Sequence, residues 1–227
     1  MLENFTIIET ILRDRNYFFT AIRDCEDLWP KIQAMLISCT AFFAIYGAVM
    51  GASHSLLQAI VSFFKLPALF ILTLAICTPA LYFFNLLFGS KQRLSQSISL
   101  ILTAMTTTSV LLVSFAPVTF FFLITTSHYQ FFKVINVFFF AVAGALGVVF
   151  LREGMIATTD LHNMEGIEAR RIIFFLWILL YTFVGTQMAW TLSPFMGDPN
   201  LPFLLFTQPG GNFYSDIITS LRQLLGR

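Results

Sequence analysis

Blocks of about 20 mostly apolar residues, separated by short charged or proline-containing connections, limit how this chain can fold more than any other feature. A helix of that length crosses the hydrocarbon core of a bilayer, and it satisfies its own backbone hydrogen bonds there. Only 11% of the 227 residues are charged, whereas a soluble domain carries about 25%. The sequence therefore predicts an all-α, polytopic transmembrane helical bundle.

Five spans are predicted from the apolar blocks. They run approximately over residues 32–50, 66–88, 97–116, 134–151 and 172–192. The apolar residues 56–64 are too few to cross, so Lys65 is expected to mark a boundary before the second span. After the third span we expect a short apolar elbow from Val118 to Ile124, with a sixth span as the alternative.

Prolines within the spans predict kinks, and tryptophans near the ends of the fifth span predict contacts with the membrane surfaces. Pro79 and Pro117 are predicted to kink their helices, because proline lacks the backbone N–H and its ring clashes with the preceding turn. Trp177 and Trp190, near the ends of the fifth span, are expected to anchor it at the membrane surfaces.

The spans divide the chain into three parts. Residues 1–30 are predicted to form an amphipathic segment, cytosolic or interfacial, that ends at Pro30. Residues 31–193 form the transmembrane bundle. Residues 194–227 form a tail rich in Pro and Gly, with a short amphipathic helix for which Asn212 is the expected N-cap.

The distribution of Lys and Arg predicts the orientation, since cytoplasmic loops carry an excess of both. With five spans and the N-terminus inside, the inner segments hold Arg13, Arg15, Arg23, Lys31, Lys91, Arg93, Arg152, Arg170 and Arg171. The outer segments hold Lys65, Lys133, Arg222 and Arg227. We therefore expect a cytoplasmic N-terminus.

Small residues predict where helices touch. Gly47 and Gly51 have GxxxG spacing, and Gly144 and Gly147 belong to a stripe of small residues in the fourth span. Small side chains let helix backbones approach closely. These four glycines are therefore predicted to lie at helix contacts, within the bundle or between copies of the chain.

The third span is unusually rich in hydroxyl groups, among them Thr103, Thr106, Thr107 and Ser114. These side chains could line a wet path, or they could bond to carbonyls of their own helix or of a neighbouring helix. None of the predicted spans carries an Asp, Glu, Lys, Arg or His away from its ends. Ion-coupled transport is therefore disfavoured, since such proteins use ionisable groups in mid-membrane.

No catalytic, cofactor or metal motif stands out, so a non-enzymatic protein without a cofactor is expected. The histidines His54, His128 and His162 lie in separate connections, which does not fit a metal site. The net charge of +1 provides no basic field for nucleic acid. The expected partners are the lipid bilayer and other membrane subunits, a homo-oligomer included.

Segments of the chain resemble two groups of membrane proteins. Residues 30–155, with a span that opens on Lys65-Leu66-Pro67-Ala68-Leu69-Phe70, resemble the Yip family of five-span membrane proteins. That resemblance implies a five-span topology and, from the eukaryotic members, interaction with Rab GTPases in membrane traffic. Other segments look like a group of uncharacterised bacterial membrane proteins, namely residues 43–48, 114–118, 190–195 and 211–214. That resemblance implies the bacterial inner membrane as the location.

Together these features predict an integral membrane protein that acts by association, as a scaffold or as a subunit of a membrane complex. The alternative is a channel or facilitator whose path is lined by hydroxyl groups of the third span.

Overall fold

The computed structural model describes residues 2–87, 93–126, 128–158, 167–197, 202–206 and 211–224. Within these ranges all regular elements are α-helices. In chain order they are α1 (Leu2–Arg13), α2 (Arg15–Arg23), α3 (Leu28–Gly51), α4 (Leu56–Leu87), α5 (Leu94–Thr125), α6 (Tyr129–Ala157), α7 (Ile167–Thr191) and α8 (Phe213–Leu224).

Five of the helices, α3 to α7, are long and apolar enough to cross a membrane. The predicted all-α bundle with five spans is thereby confirmed. The short amphipathic helices at the two ends of the sequence are present as α1, α2 and α8.

The third span differs from its prediction. Residues 118–124 form neither an elbow nor a sixth span, because α5 continues through Pro117 as one helix of 32 residues. A helix that broke at this depth would leave backbone groups without water to bond them, so continuing past the proline costs less. The kinks predicted at Pro79 and Pro117 stay predictions, and both residues lie inside continuous helices.

The second span also differs. Residues 56–64, expected to be too short to cross, are the first turns of α4, and Lys65 lies inside the helix rather than at its boundary. Likewise Pro30 does not end an N-terminal helix but sits in the first turn of α3. Proline is tolerated there because the first N–H groups of a helix have no intrahelical acceptor.

The chain forms two compact units. Unit 1 comprises Met1–Cys39, Thr73–Thr108 and Gly144–Val184, and unit 2 comprises Thr40–Leu72, Ser109–Ala143 and Gly185–Arg227.

In unit 1, the amphipathic helix α2 packs on the chain's own helices. Its apolar residues Phe18, Phe19 and Ile22 are buried. The side-chain amide of Gln96 in α5 donates to the carbonyl oxygens of Ile22, at 3.1 Å, and Arg23, at 2.9 Å. These carbonyls belong to the last turn of α2, so Gln96 supplies donors that the helix itself lacks there.

Trp177 lies in the interior of unit 1 rather than at the membrane surface as predicted. Its side chain is only 1% exposed, and its indole Nε1–H donates to the carbonyl oxygen of Cys77 in α4 at 3.0 Å. A tryptophan can be buried when its N–H finds an acceptor. The interface prediction for Trp177 was wrong because this acceptor comes from another helix.

Candidate functional site

Three polar side chains form a buried row on α4 in unit 2. Gln58, Ser62 and Lys65 follow one another at intervals of four and three residues, which places them on one face of the helix. All three are buried, and Lys65 is 7% exposed. We call this row the polar stripe of α4.

The first two members of the polar stripe bind the backbone that follows α7. Gln58 Nε2 donates to the carbonyl oxygens of Pro194, at 2.8 Å, and Phe195, at 3.3 Å. Ser62 Oγ donates to the same Phe195 oxygen at 2.6 Å. The stripe therefore holds this segment by its main chain.

Lys65 binds a second part of the tail, residues 202–206. Its ammonium donates to the carbonyl oxygen of Leu205, and its Nζ lies 4.6 Å from the centroid of the Phe206 ring. Among the ion pairs of the described residues, none joins Lys65 to a carboxylate. Both partners of this buried cation are thus electrically neutral.

Further contacts hold the tail within unit 2. Tyr129 donates to the carbonyl oxygen of Met196 at 3.4 Å, and Lys133 pairs with Asp216 of α8 at 2.5 Å. The predicted N-cap of α8 is confirmed, because Asn212 Oδ1 accepts a hydrogen bond from the backbone N–H of Ser215 at 2.9 Å.

A second buried polar group in unit 2 joins three helices, and we call it the Tyr46 cluster. The Tyr46 hydroxyl of α3 donates to Asn136 Oδ1 of α6 at 2.7 Å and lies 3.3 Å from Thr119 Oγ1 of α5. Asn136 Nδ2 donates to the carbonyl oxygen of Phe132 one turn earlier at 2.7 Å. All three side chains of the cluster are buried.

The predicted packing glycines have different surroundings. A Cβ at Gly47 would strike the carbonyl oxygen of Ser62, and a Cβ at Gly51 would lie 2.8 Å from Ala59 Cα. In unit 1, a Cβ at Gly147 would lie 2.9 Å from the Ala104 carbonyl oxygen, whereas a Cβ at Gly144 would meet no described atom within 4 Å. A helix-packing role for the four glycines stays a prediction.

The predicted pore-lining hydroxyls mostly bond to their own helix. Thr103 donates to the Ser99 carbonyl at 2.8 Å, and Thr107 donates to the Thr103 carbonyl at 3.0 Å. Thr106 is buried, as are Thr103 and Thr107. Ser114, in unit 2, is exposed and donates to the carbonyl of Val110 at 2.9 Å. Whether any of them lines a path stays a prediction.

The structure corrects one premise of the sequence analysis. The spans were expected to hold no ionisable residue away from their ends, but Lys65 is the tenth residue of α4. The described residues contain no group of three His, Cys, Asp or Glu side chains placed to hold a metal ion, and His162 lies outside those residues.

Sequence reasoning missed both polar groups of unit 2, although each left a signal. The polar stripe is visible as three polar residues at helical spacing, and it was overlooked because Lys65 was assigned to a boundary. Tyr46 and Asn136 are isolated polar residues in apolar blocks, and such residues bond across helices in membrane proteins.

The five long apolar helices identify a multi-pass integral membrane protein. No protein-family model, curated protein or solved structure matches the chain.

Proposed function

We propose that the protein acts by association, as a non-enzymatic scaffold or as a subunit of a membrane complex. The observation that carries this proposal is the face of α6 around Gly144 in unit 1, where small residues lie open within the described chain. The partner would be a second copy of the chain or another membrane protein.

Two glycines on the same helix, Gly144 and Gly147, have different surroundings. A Cβ at Gly147 would collide with Thr108 and Ala104 of α5, so the space beside this glycine is already occupied within unit 1. A Cβ added at Gly144 would meet no described atom within 4 Å beyond its chain neighbours and the adjoining backbone of α6, and Ala145 is exposed. Helices associate in lipid where small residues let their backbones approach, so an open small-residue face favours a partner helix.

The alternative function is a channel or facilitator with its path along the third span. We prefer association because Thr103 and Thr107 are buried and donate to carbonyls of α5 itself. Such bonds satisfy the hydroxyls without water. A path lined by them would require these side chains to face an aqueous space instead.

A substitution at Gly144 tests the proposal. Gly144→Leu should reduce the size of the complex in mild detergent and its cross-linking in membranes, because a large side chain would keep a partner helix away. The folded chain should keep its melting temperature, since the added side chain meets open space.

Two further variants serve as controls. Gly147→Leu should lower the melting temperature, because its side chain would collide with α5. Leu146→Ala, at an exposed position of the same helix, should alter neither size nor melting. If Gly144→Leu leaves both the size and the cross-linking of the complex unchanged, association through this face is wrong.

The orientation and origin are part of the proposal. The excess of Lys and Arg supports an N-terminus on the cytoplasmic side of the membrane. The resemblance to uncharacterised bacterial proteins supports a bacterial inner membrane, and the resemblance to the Yip family supports a role in association. Reporter fusions at residues 2, 160 and 227 test the orientation. A tail found on the same side as the N-terminus would contradict it.

A further inference from the structure

We propose that Lys65 is a binding site for the phosphate of an anionic phospholipid, and that the tail segment 202–206 competes with this lipid for the ammonium group. This binding would be separate from association with another protein. Three features of Lys65 support it: the neutral groups that contact its ammonium, the exposed tail segment that covers it, and its position along α4.

The present partners leave the charge of Lys65 unbalanced. The ammonium bonds the Leu205 carbonyl and faces the Phe206 ring, and neither group is an anion. The ammonium–carbonyl bond already benefits from the charge of its donor, but a phosphate would add the Coulomb attraction between opposite charges, which a neutral carbonyl cannot supply. A phosphate oxygen would therefore be a better acceptor for Lys65 than the tail carbonyl.

Lys65 and Lys133, both in unit 2, differ in how their charges are balanced. Lys133 is paired with the carboxylate of Asp216 at 2.5 Å, so its charge is already balanced. Lys65 is more deeply buried than Lys133 and has no such partner among the described residues. An ionisable residue inside a membrane span generally marks a functional site.

Lys65 is covered by residues 202–206, and this segment is not the one that Gln58 and Ser62 bind. Leu205 and Phe206 are 50% and 52% exposed, so the segment that binds the ammonium is itself open on its outer side. Gln58 and Ser62 hold a different stretch, at Pro194 and Phe195. The lipid could therefore displace residues 202–206 while the polar stripe keeps its other bonds to the tail.

The position of Lys65 along α4 is close to the level expected for lipid headgroups. A helix of 32 residues such as α4 is about 48 Å long, against a hydrocarbon core of about 30 Å. If α4 is centred in the core, Lys65, about 14 Å from the first residue, lies about 5 Å inside the boundary. The long lysine side chain reaches the headgroup level from there.

Lipid binding to the purified full chain tests the proposal. Native mass spectrometry would compare dioleoylphosphatidylglycerol with dioleoylphosphatidylcholine, which has the same acyl chains and no net charge. We expect the wild-type chain to bind phosphatidylglycerol at least about tenfold more tightly. Lys65→Gln should lose this preference, and Lys65→Arg, which keeps the charge, should retain it.

Two more variants separate the site from its surroundings. Lys133→Gln, which removes the paired cation, should bind phosphatidylglycerol as the wild type does. Phe206→Ala, which keeps Lys65 and weakens its cover, should bind the lipid more tightly. This variant also tests the proposal if Lys65→Gln does not fold.

Three results would overturn the proposal. Undiminished preference for phosphatidylglycerol in Lys65→Gln would exclude Lys65 as the site. Unchanged or weaker binding in Phe206→Ala would exclude competition by the tail. If inorganic phosphate at millimolar concentration displaces the lipid and raises the melting temperature as much as the lipid does, the ligand is free phosphate rather than a headgroup.

Discussion

The hydroxyl-rich segment of α5 in unit 1 and the Tyr46 cluster in unit 2 satisfy buried polar groups in different ways. Thr103 and Thr107 donate to carbonyls four residues earlier in the same helix. Tyr46 instead reaches Asn136 on another helix and lies within hydrogen-bond distance of Thr119 on a third. The first region bonds mainly within a single helix, with one weak contact of Thr103 to Met35 Sδ of α3 at 3.6 Å, whereas the second joins three helices.

The comparison shows that the number of polar residues in a span does not indicate how far they link helices. Thr and Ser side chains are short and can bond to their own backbone, so a run of them needs no partner. Tyrosine cannot reach the preceding carbonyl in this way, and a buried Tyr hydroxyl therefore needs a partner from elsewhere. We expect substitutions in the two regions to differ accordingly.

The largest effect is expected for Tyr46→Phe. The change removes the hydroxyl and leaves Asn136 Oδ1 buried without its donor, which should lower the free energy of unfolding by about 1–2 kcal/mol. Reversible unfolding in mixed micelles would measure the loss. A value below about 0.3 kcal/mol would show that the cluster contributes no more than an ordinary surface contact.

A double-mutant cycle is the control for this prediction. Asn136→Leu removes the acceptor with little change in volume, and the Tyr46 hydroxyl keeps Thr119 within reach. The double variant Tyr46→Phe, Asn136→Leu should be more stable than the sum of the single losses predicts, because no buried acceptor is then left alone. Strict additivity would argue against a direct bond.

A smaller and more local effect is expected for Ser62→Ala. Ser62 donates to the Phe195 carbonyl, which Gln58 also approaches, so removal of one donor should cost about 0.6 kcal/mol. Hydrogen exchange should become faster in residues 194–197 before any global unfolding. Ser114→Ala is the matched control, because Ser114 bonds only to Val110 among the described residues. Equal exchange in both variants would contradict docking by Ser62.

The smallest effect is expected for the double variant Thr103→Val, Thr107→Val. Both hydroxyls donate to carbonyls of α5, and the contact between Thr103 and Met35 Sδ is weak. Because valine has nearly the same shape as threonine, the free energy of unfolding should change by about 0.5 kcal/mol or less. A loss larger than that of Tyr46→Phe would reverse the comparison. The same variant tests the channel alternative, since a solute flux in liposomes that it abolishes would support a path along the third span.

The sequence predicts those features that depend on nearby residues. The five spans follow from the length of the apolar blocks, and the start of α8 follows from Asn212, whose capping bond lies within one turn. The missed features depend on distant residues. The start of α4 was placed wrongly because Lys65 looks like a boundary until its partners in the tail are known. Trp177 was assigned to the surface because its acceptor, the Cys77 carbonyl, lies in another helix.

The contact between Lys65 and Leu205 has a consequence for synthesis and membrane insertion. The two residues are 140 positions apart in the chain. At about 5–20 residues per second, the ribosome completes the tail on the order of ten seconds after α4 has been made. During that interval the nascent chain carries a lysine in its second span without the backbone carbonyl that later binds it. Lipid headgroups and water are the acceptors available to the ammonium group until the tail has been synthesised.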